Sequence, residues 1–583
     1  MTSASDRLFH RLNSLWNISV VNLGALWIFF FATAWFCGVA YHNNDDFDMV
    51  MIVKQIAPFD ASSFILYSSS YLGILYSFLY QKIGILEWYP VLYTVFVSYA
   101  FALVFHICCF RSQQFRNSGI AILLFFLALL GLKLLTEVQF TYAAGILSAT
   151  GWIALFYHVL NRNNSGKYVY ISACVLLLLS GWYRYDFFLL IAAFSLPVWA
   201  YILWKNRSEY FPFTVKKLTI LGLFWAIPVL LPVALQQLAP EKRNPEVKEY
   251  LQSQAARGRI HDYALFERAS NAEKVMEAGL WTDTERTLFF NWMMPDVPAF
   301  STNNLQKMIR SAETSSWYSA SRFFSLTRMT LNDKFFKNQL FLYYLLLSFL
   351  LYLIFPARDS AIRFFVFTAF LLMITALLAF FFKMPPSRVS DILFVYAFLL
   401  QCLFCFSLNK TPVNGIQLNV ISILFCAVLF ISVIQGNRYS RIEKLMARNA
   451  IHELDDKLSG LNASYIISVP ENYPAYFHDC HFRNEPVGKR PVIYHTGPFF
   501  NHPANKGYRA FWMKDSMQKA LTSGRVFFYF ASRNQEQSRI IRSNFSSLIK
   551  KYWQLKSFWK EVPLGKDGFV LQVSSDSASF HKK

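Results

Sequence analysis

Apolar stretches of about twenty residues recur through the first three quarters of the chain, separated by short polar segments. That spacing is the pattern of bilayer-crossing helices, not of half-buried strands. It predicts spans at about 20–41, 89–110, 118–136, 139–160, 168–182, 187–204, 218–238, 338–356, 364–382, 391–408 and 416–435, roughly eleven in all. The fifth is short for a straight crossing, which suits a tilted, broken or protein-buried helix. Phe64–Gln81 is rich in Tyr and Ser and reads as an interfacial helix lying on the membrane.

After residue 435 the pattern changes. Short strand-like runs (Ser464–Val469, Val492–His495, Val526–Phe530, Phe569–Val573) alternate with amphipathic stretches such as Ala510–Leu521 and Gln535–Lys550. The fold class expected is a polytopic α-helical membrane protein with a C-terminal soluble α/β domain. Residues 1–435 form the membrane unit, with external loops at 42–88 and 239–337. Residues 436–583 form the α/β unit.

Composition agrees: 55% of the 583 residues are hydrophobic, and mean hydropathy is positive. The net charge of +21 first suggests nucleic acid, but the positive charges are split between short inter-helix loops and the tail. That distribution suits anionic lipid head groups or phosphate-bearing substrates, and no nucleic-acid partner is expected. Seven of the eight cysteines lie in apolar runs, so no disulfide framework or zinc pattern is expected. No small-residue cleavage site follows Leu23–Tyr41, which reads as a retained anchor. One set of loops is basic (Arg7, Arg11, Arg111, Arg116, Arg162, Lys216, Lys217, Arg358 and Arg363 among others), with few acids. By the positive-inside rule that set is cytoplasmic. The amino terminus is then inside, and the tail, after an odd number of spans, outside.

Four features fall on the outer side. Asp45, Asp46 and Asp48 directly follow the first span. Carboxylates beside an apolar core are costly unless paired, so three of them need a reason. They suit a general base or a hard divalent cation, or they form a plain polar collar. Glu137 lies at the next outer turn and can pair with Lys133 four residues before it. Arg184 and Asp186 lie at the turn after the fifth span and can pair with each other. Lys383 and Arg388 flank a Pro-Pro turn followed by Asp391; both can bind phosphate or anchor a helix end to lipid. No P-loop or dinucleotide fingerprint stands out.

Together these features resemble the GT-C class of membrane glycosyltransferases, which includes the lipid A aminoarabinose and protein mannosyltransferases. The resemblance rests on the layout and on Asn44-Asp-Asp-Phe-Asp48 followed by the apolar stretch Met49–Ile56. The second acid is often Glu in that class and here is Asp46, with Asp48 as an extra acid. The resemblance implies transfer of a sugar from a polyprenyl-phosphate-linked donor to a hydroxyl on a lipid, glycan or protein, at the outer face of a bacterial inner membrane, with inversion by direct displacement. It implies Asp45, Asp46 or Asp48 as base, and Lys383, Arg388 and Arg184 at the donor phosphate. Glu137, Asp186 and His261 fall on the substrate side. Mg²⁺ or Mn²⁺ at the three aspartates stays open as a cofactor. Alternative readings are a surface-polysaccharide polymerase or ligase, for which Arg257, Arg259 and His261 are the candidate residues, and a flippase of lipid-linked saccharides.

Overall fold

The computed structural model describes residues 4–41, 44–56, 62–110, 122–161, 167–205, 229–239, 243–261, 272–313, 339–354, 387–408, 453–468, 493–495, 502–505, 514–531, 535–564 and 569–575, apart from a few single positions within them. The expected spans at 364–382 and 416–435, and Lys383, lie outside these residues.

The first helix, α1, runs Ala4–Cys37. Phe30 on one side packs on Phe101 and Phe105 of α4 (Trp88–Phe105), while Ile28 and Phe36 on other sides are 70% and 75% exposed. Large apolar side chains bare over a whole helix face fit lipid contact. Between these helices lie α2 (Asn44–Lys54) and α3 (Ser70–Lys82). At thirteen residues, α3 is about 20 Å long, short of the ~30 Å hydrocarbon core. The expected Phe64–Gln81 helix therefore begins later. Residues 64–69 instead form an irregular strap, and Ser69 caps the helix by accepting from Tyr71 N–H.

Helix α5 (Phe140–Leu160) is the centre of the bundle. It packs on α4, α6 (Lys167–Tyr183) and α7 (Tyr185–Lys205). Ala143, Ala144, Gly145, Ala149 and Gly151 let its backbone approach its neighbours closely. A Cβ on Gly145 would lie 2.7 Å from Phe187 and 2.5 Å from Ile392, which belongs to a later helix. Among the described residues, four helical segments are long and apolar enough to cross a membrane: Trp88–Cys108, Phe140–Leu160, Tyr185–Ile202 and Arg388–Cys405. Val21–Cys37 and Lys167–Tyr183 are shorter apolar helices.

The later helices are α8 (Pro245–His261), α9 (Asp283–Phe290), α10 (Thr302–Glu313), α11 (Gln339–Ile354) and α12 (Ser387–Leu408). Two-residue strands β1 (Ala40–Tyr41) and β2 (Glu137–Val138) pair in parallel and tie the end of α1 to the start of α5.

Near the C-terminus, β3 (Tyr465–Ser468), β4 (Ile493–His495), β5 (Val526–Phe530), β6 (Phe558–Pro563) and β7 (Phe569–Ser574) form a mixed sheet of order β4-β3-β5-β7-β6. Strand β3 runs parallel to β4 and β5, and β7 antiparallel to β5 and β6. The period-two alternation of a strand gives the sheet two apolar faces. Ile466, Phe527, Tyr529 and Val570 join the core of the helical bundle. Ile467, Phe528 and Leu571 join a second core with α9, α10 and α14 (Gln535–Trp553), the last preceded by α13 (Lys514–Ser523). Residues of the 239–337 loop thus share a core with the C-terminal sheet. Glu285, fully buried, accepts from Lys551 Nζ at 2.7 Å and Tyr552 Oη at 3.1 Å across that junction.

Candidate functional site

The three aspartates all fall in the first turn and a half of α2, not ahead of it. Negative charge there is favoured by the helix dipole, which accounts in part for two acids in the first turn. At about 100° per residue, Asp45 and Asp48 share a face while Asp46 and Asp48 lie about 200° apart. The structure follows this split. Asp46 is fully buried, and its Oδ1 accepts from Tyr89 Oη at 2.8 Å and from Phe140 N–H at 3.0 Å. It fastens α2 to α4 and to the start of α5. Asp48 is 5% exposed, and its Oδ1 meets no hydrogen-bond donor among the described residues. Burial, and then the charge of Asp45, raise its pKa well above the usual carboxylate range. A carboxylate so placed binds a proton more tightly, which is the property of a base.

Arg184 sits at the α6–α7 turn. Its Nη1 donates to Thr141 Oγ1 at 2.8 Å, and its guanidinium lies 5.4 Å from the Tyr67 ring and 5.3 Å from the Phe140 ring. Those two rings are stacked at 5.6 Å. Burial lowers the Arg184 pKa, the positive charge of Arg388 lowers it further, and Tyr67, Asp186 and Asp45 oppose both. Two guanidiniums therefore act on one another here, with Asp45 in range. Arg388, in the first turn of α12, has a buried Nε that reaches no acceptor among the described residues. Two like charges in partly buried surroundings repel one another, and an anion between them would relieve that repulsion.

The strap fixes this arrangement. Ser69 N–H donates to Trp182 O at 2.8 Å, and Ser68 Oγ to Tyr183 O at 2.8 Å. From outside the bundle, Tyr250 of α8 is buried against Phe64 at 6.0 Å. Burial raises its pKa; Tyr67, Asp45 and Asp48 raise it too, while Arg257 lowers it. His502, from the C-terminal region, is fully buried, stacked flat on Phe64 at 5.1 Å and edge-on to Tyr250 at 5.3 Å. Its Nδ1 accepts from Ala504 N–H, and burial pushes its pKa down to about 3. Tyr67, Tyr250 and His502 were not singled out by sequence reasoning. Aromatic residues are abundant in this chain, and nothing local marks these three.

A cavity of about 430 Å³ opens beside Arg184, between the strap and α8. Asp186, Arg257 and Arg259 line it.

Other sequence candidates resolve as follows. The expected Glu137–Lys133 pair does not form. Glu137 has left the helix for an extended conformation, so four-residue helical spacing no longer applies. Lys133 instead reaches Asp391 Oδ2 at 3.2 Å, and Tyr142 Oη donates to the same oxygen at 3.0 Å. Glu137 remains at the same end of the bundle through the β1–β2 pairing. Arg184 bonds to Thr141 rather than to Asp186, which is exposed. His261 packs on Phe290 at 5.4 Å, in the second core's surroundings and outside the cavity lining. Among the described residues, no group of three or more His, Cys, Asp or Glu has the geometry to hold a metal ion. The three aspartates do not fit a cation cage, because Asp46 faces away from Asp48 and its Oδ1 already accepts two hydrogen bonds. In comparisons with known proteins, no family model matches this chain, and no curated protein is significantly similar to it.

Proposed function

We propose that this chain is an integral membrane glycosyltransferase that moves a sugar from a polyprenyl-phosphate-linked donor to a hydroxyl acceptor on a lipid, glycan or protein. One observation carries the reading: Asp48, a buried carboxylate, and Arg184 both feel the charge of Asp45, and Arg184 also feels that of Arg388. Such a site has a base for one end of a displacement and cations for the other. Asp48 takes the acceptor hydroxyl proton as that oxygen attacks the anomeric carbon. The bond from that carbon to the phosphate oxygen breaks, and its electron pair stays on the phosphate, where Arg184 and Arg388 balance the added charge. Donors fixed in advance stabilise developing charge without reorganising, which is usually the largest catalytic contribution. Asp45 supports Asp48 by keeping its proton affinity high, and Asp46 holds the helix that carries both.

The reading includes about eleven spans in a bacterial inner membrane, the amino terminus inside and the C-terminal unit in the periplasm. The basic loops support that orientation. A phosphatase fusion at residue 583 is expected to be active, and an inactive, fluorescent fusion would reverse the sidedness. A surface-polysaccharide polymerase or ligase is the second reading, favoured by Arg257 and Arg259 beside the same cavity.

Two measurements test the proposal. Mass spectrometry of envelope lipids and glycans, with and without the gene, should show one sugar lost. With the donor so identified, Asp48→Asn should lower turnover by about 10²–10⁴-fold. Unchanged glycans together with full Asp48→Asn activity would remove the glycosyltransferase assignment.

A further inference from the structure

The far end of α2 is tied down by side chains that the proposed chemistry does not use. Lys54, in its last turn, donates to Glu87 Oε1 at 2.5 Å. The two side chains are only 11% and 6% exposed. Glu87 stands immediately before α4, and Tyr80 of α3 donates to its other oxygen at 2.9 Å. The Tyr80 hydroxyl in turn accepts from Tyr89 N–H at 3.1 Å. The helix closes just beyond Lys54, where Gln55 takes a φ of 61° and Ile56 N–H returns to Met51 O at 3.0 Å. Helix α2 therefore meets the start of α4 twice, Asp46 through Tyr89 and Lys54 through Glu87. The two anchors lie just over two turns apart, about 12 Å along the helix and about 80° around it. Asp48 lies on the other side, at least about 120° from each. A helix held at one point can roll about its axis, and one held at two points cannot. Buried ion pairs add little net stability over apolar side chains of the same volume, and their best-attested use is to fix register.

We propose that Lys54 and Glu87 are positioning residues: together with the Asp46 anchor they set the roll of α2 and so hold Asp48 on the face it shares with Asp45. The role of Asp48 as base rests on the glycosyltransferase reading, but the placement of its carboxyl does not. Without the Lys54–Glu87 pair, α2 keeps one anchor and rolls, and Asp48 leaves its buried place for water.

The full-length protein in detergent is treated with dicyclohexylcarbodiimide, which couples to protonated carboxyl groups, over a series of pH values. Label on Asp48 is read by peptide mass spectrometry. Burial and the charge of Asp45 raise the proton affinity of Asp48, so the midpoint of labelling against pH reports how α2 is turned. Two variants remove the pair: Glu87→Gln, which keeps an acceptor for Tyr80, and Lys54→Met with Glu87→Leu, which replaces both charges by apolar side chains. In each, Asp48 should gain water and the midpoint should fall by about one pH unit or more. Glu285→Gln breaks the pair with Lys551 in the second core and should leave the midpoint in place. A midpoint that stays put in both α2 variants overturns the inference. So does an equal fall in Glu285→Gln, since that marks general loosening, and so does a wild type never labelled at Asp48. Turnover against pH separates the two proposals. If the midpoint moves and the acidic limb of turnover does not, the mount stands and Asp48 is not the base. If the midpoint stays while Asp48→Asn loses turnover, the mount falls and the enzyme reading stands.

Discussion

Acidification should loosen the strap through a single buried imidazole. His502 is fully buried, with its pKa held near 3 against an ordinary value of 6.5. The folded state therefore keeps the ring neutral, while a locally opened state would protonate it at mildly acidic pH. Between those two values the opened state binds more protons, so stability is complete above pH 6.5 and is lost as pH falls. Each pH unit is worth about 1.4 kcal/mol, so two units of acidification, to pH 4.5, cost about 2.7 kcal/mol, or roughly 100-fold in the opening equilibrium. The test is hydrogen exchange by mass spectrometry over 64–69 and 502–505 at pH 7.5 and 4.5, in the wild type and in His502→Phe. Phenylalanine keeps the stacking on Phe64 and Tyr250 but cannot titrate. After correction for intrinsic exchange, the wild type should lose about 100-fold more protection than the variant. Parallel losses in both proteins would refute the role given to His502.

Three further outcomes are expected. Asp46→Asn retains an acceptor oxygen for Tyr89 and Phe140, so its turnover should stay within a few-fold of wild type. Asp46→Ala should lower thermal stability by about 3 kcal/mol, since it strips two hydrogen bonds to a charged group; equal catalytic losses in Asp46→Asn and Asp48→Asn would show that the faces of α2 are assigned wrongly. Gly73→Ala drives a Cβ into the Ser63 carbonyl oxygen, so the backbone leading into the strap must move; a loss of about 1–3 kcal/mol is expected in thermal unfolding, and none would mean that the contact is relaxed in solution. Burial raises the Glu285 pKa, but its bonds to Lys551 and Thr282 outweigh this and leave it lowered, so its contribution is present above pH 4.5 and fades as pH falls below. Glu285→Ala removes the reciprocal cap at Thr282 and strands Lys551; limited proteolysis between α9 and α14 should quicken, and an unchanged cleavage rate would show that the two segments are held by apolar contact alone.

Much of the scaffold was legible because membrane helices carry a long, unbroken signal. Trp88–Cys108 and Phe140–Leu160 lie close to the expected spans, and β5 falls on the expected residues. Strand β6 was missed. Phe558-Trp-Lys-Glu-Val-Pro563 is an edge strand whose side chains are mostly exposed, so it lacks apolar alternation and ends in a proline suited to an edge. The charged half of the candidate site was also visible, because Asp48, Arg184 and Arg388 are conspicuous beside apolar runs. The aromatic half was not. Tyr67 and Tyr250 are two of 31 tyrosines, and His502 lies 438 residues from the Phe64 ring on which it stacks. Pairings of that range leave no periodic trace. The same applies to Lys133, whose local partner Glu137 was the natural expectation and whose actual partner is Asp391.

The dependence of the strap on His502 also sets a timetable. In synthesis His502 follows Asp48 by 454 residues. At ordinary synthesis rates of about 5–20 residues per second, that interval is roughly 20–90 seconds. For most of it Arg388 is not yet made, and for all of it the ring that stacks on Phe64 is missing. Asp46 meets its partners Tyr89 and Phe140 early, within 94 residues, long before the strap is clamped. The strap is therefore closed by a residue made long after the helices it lies on.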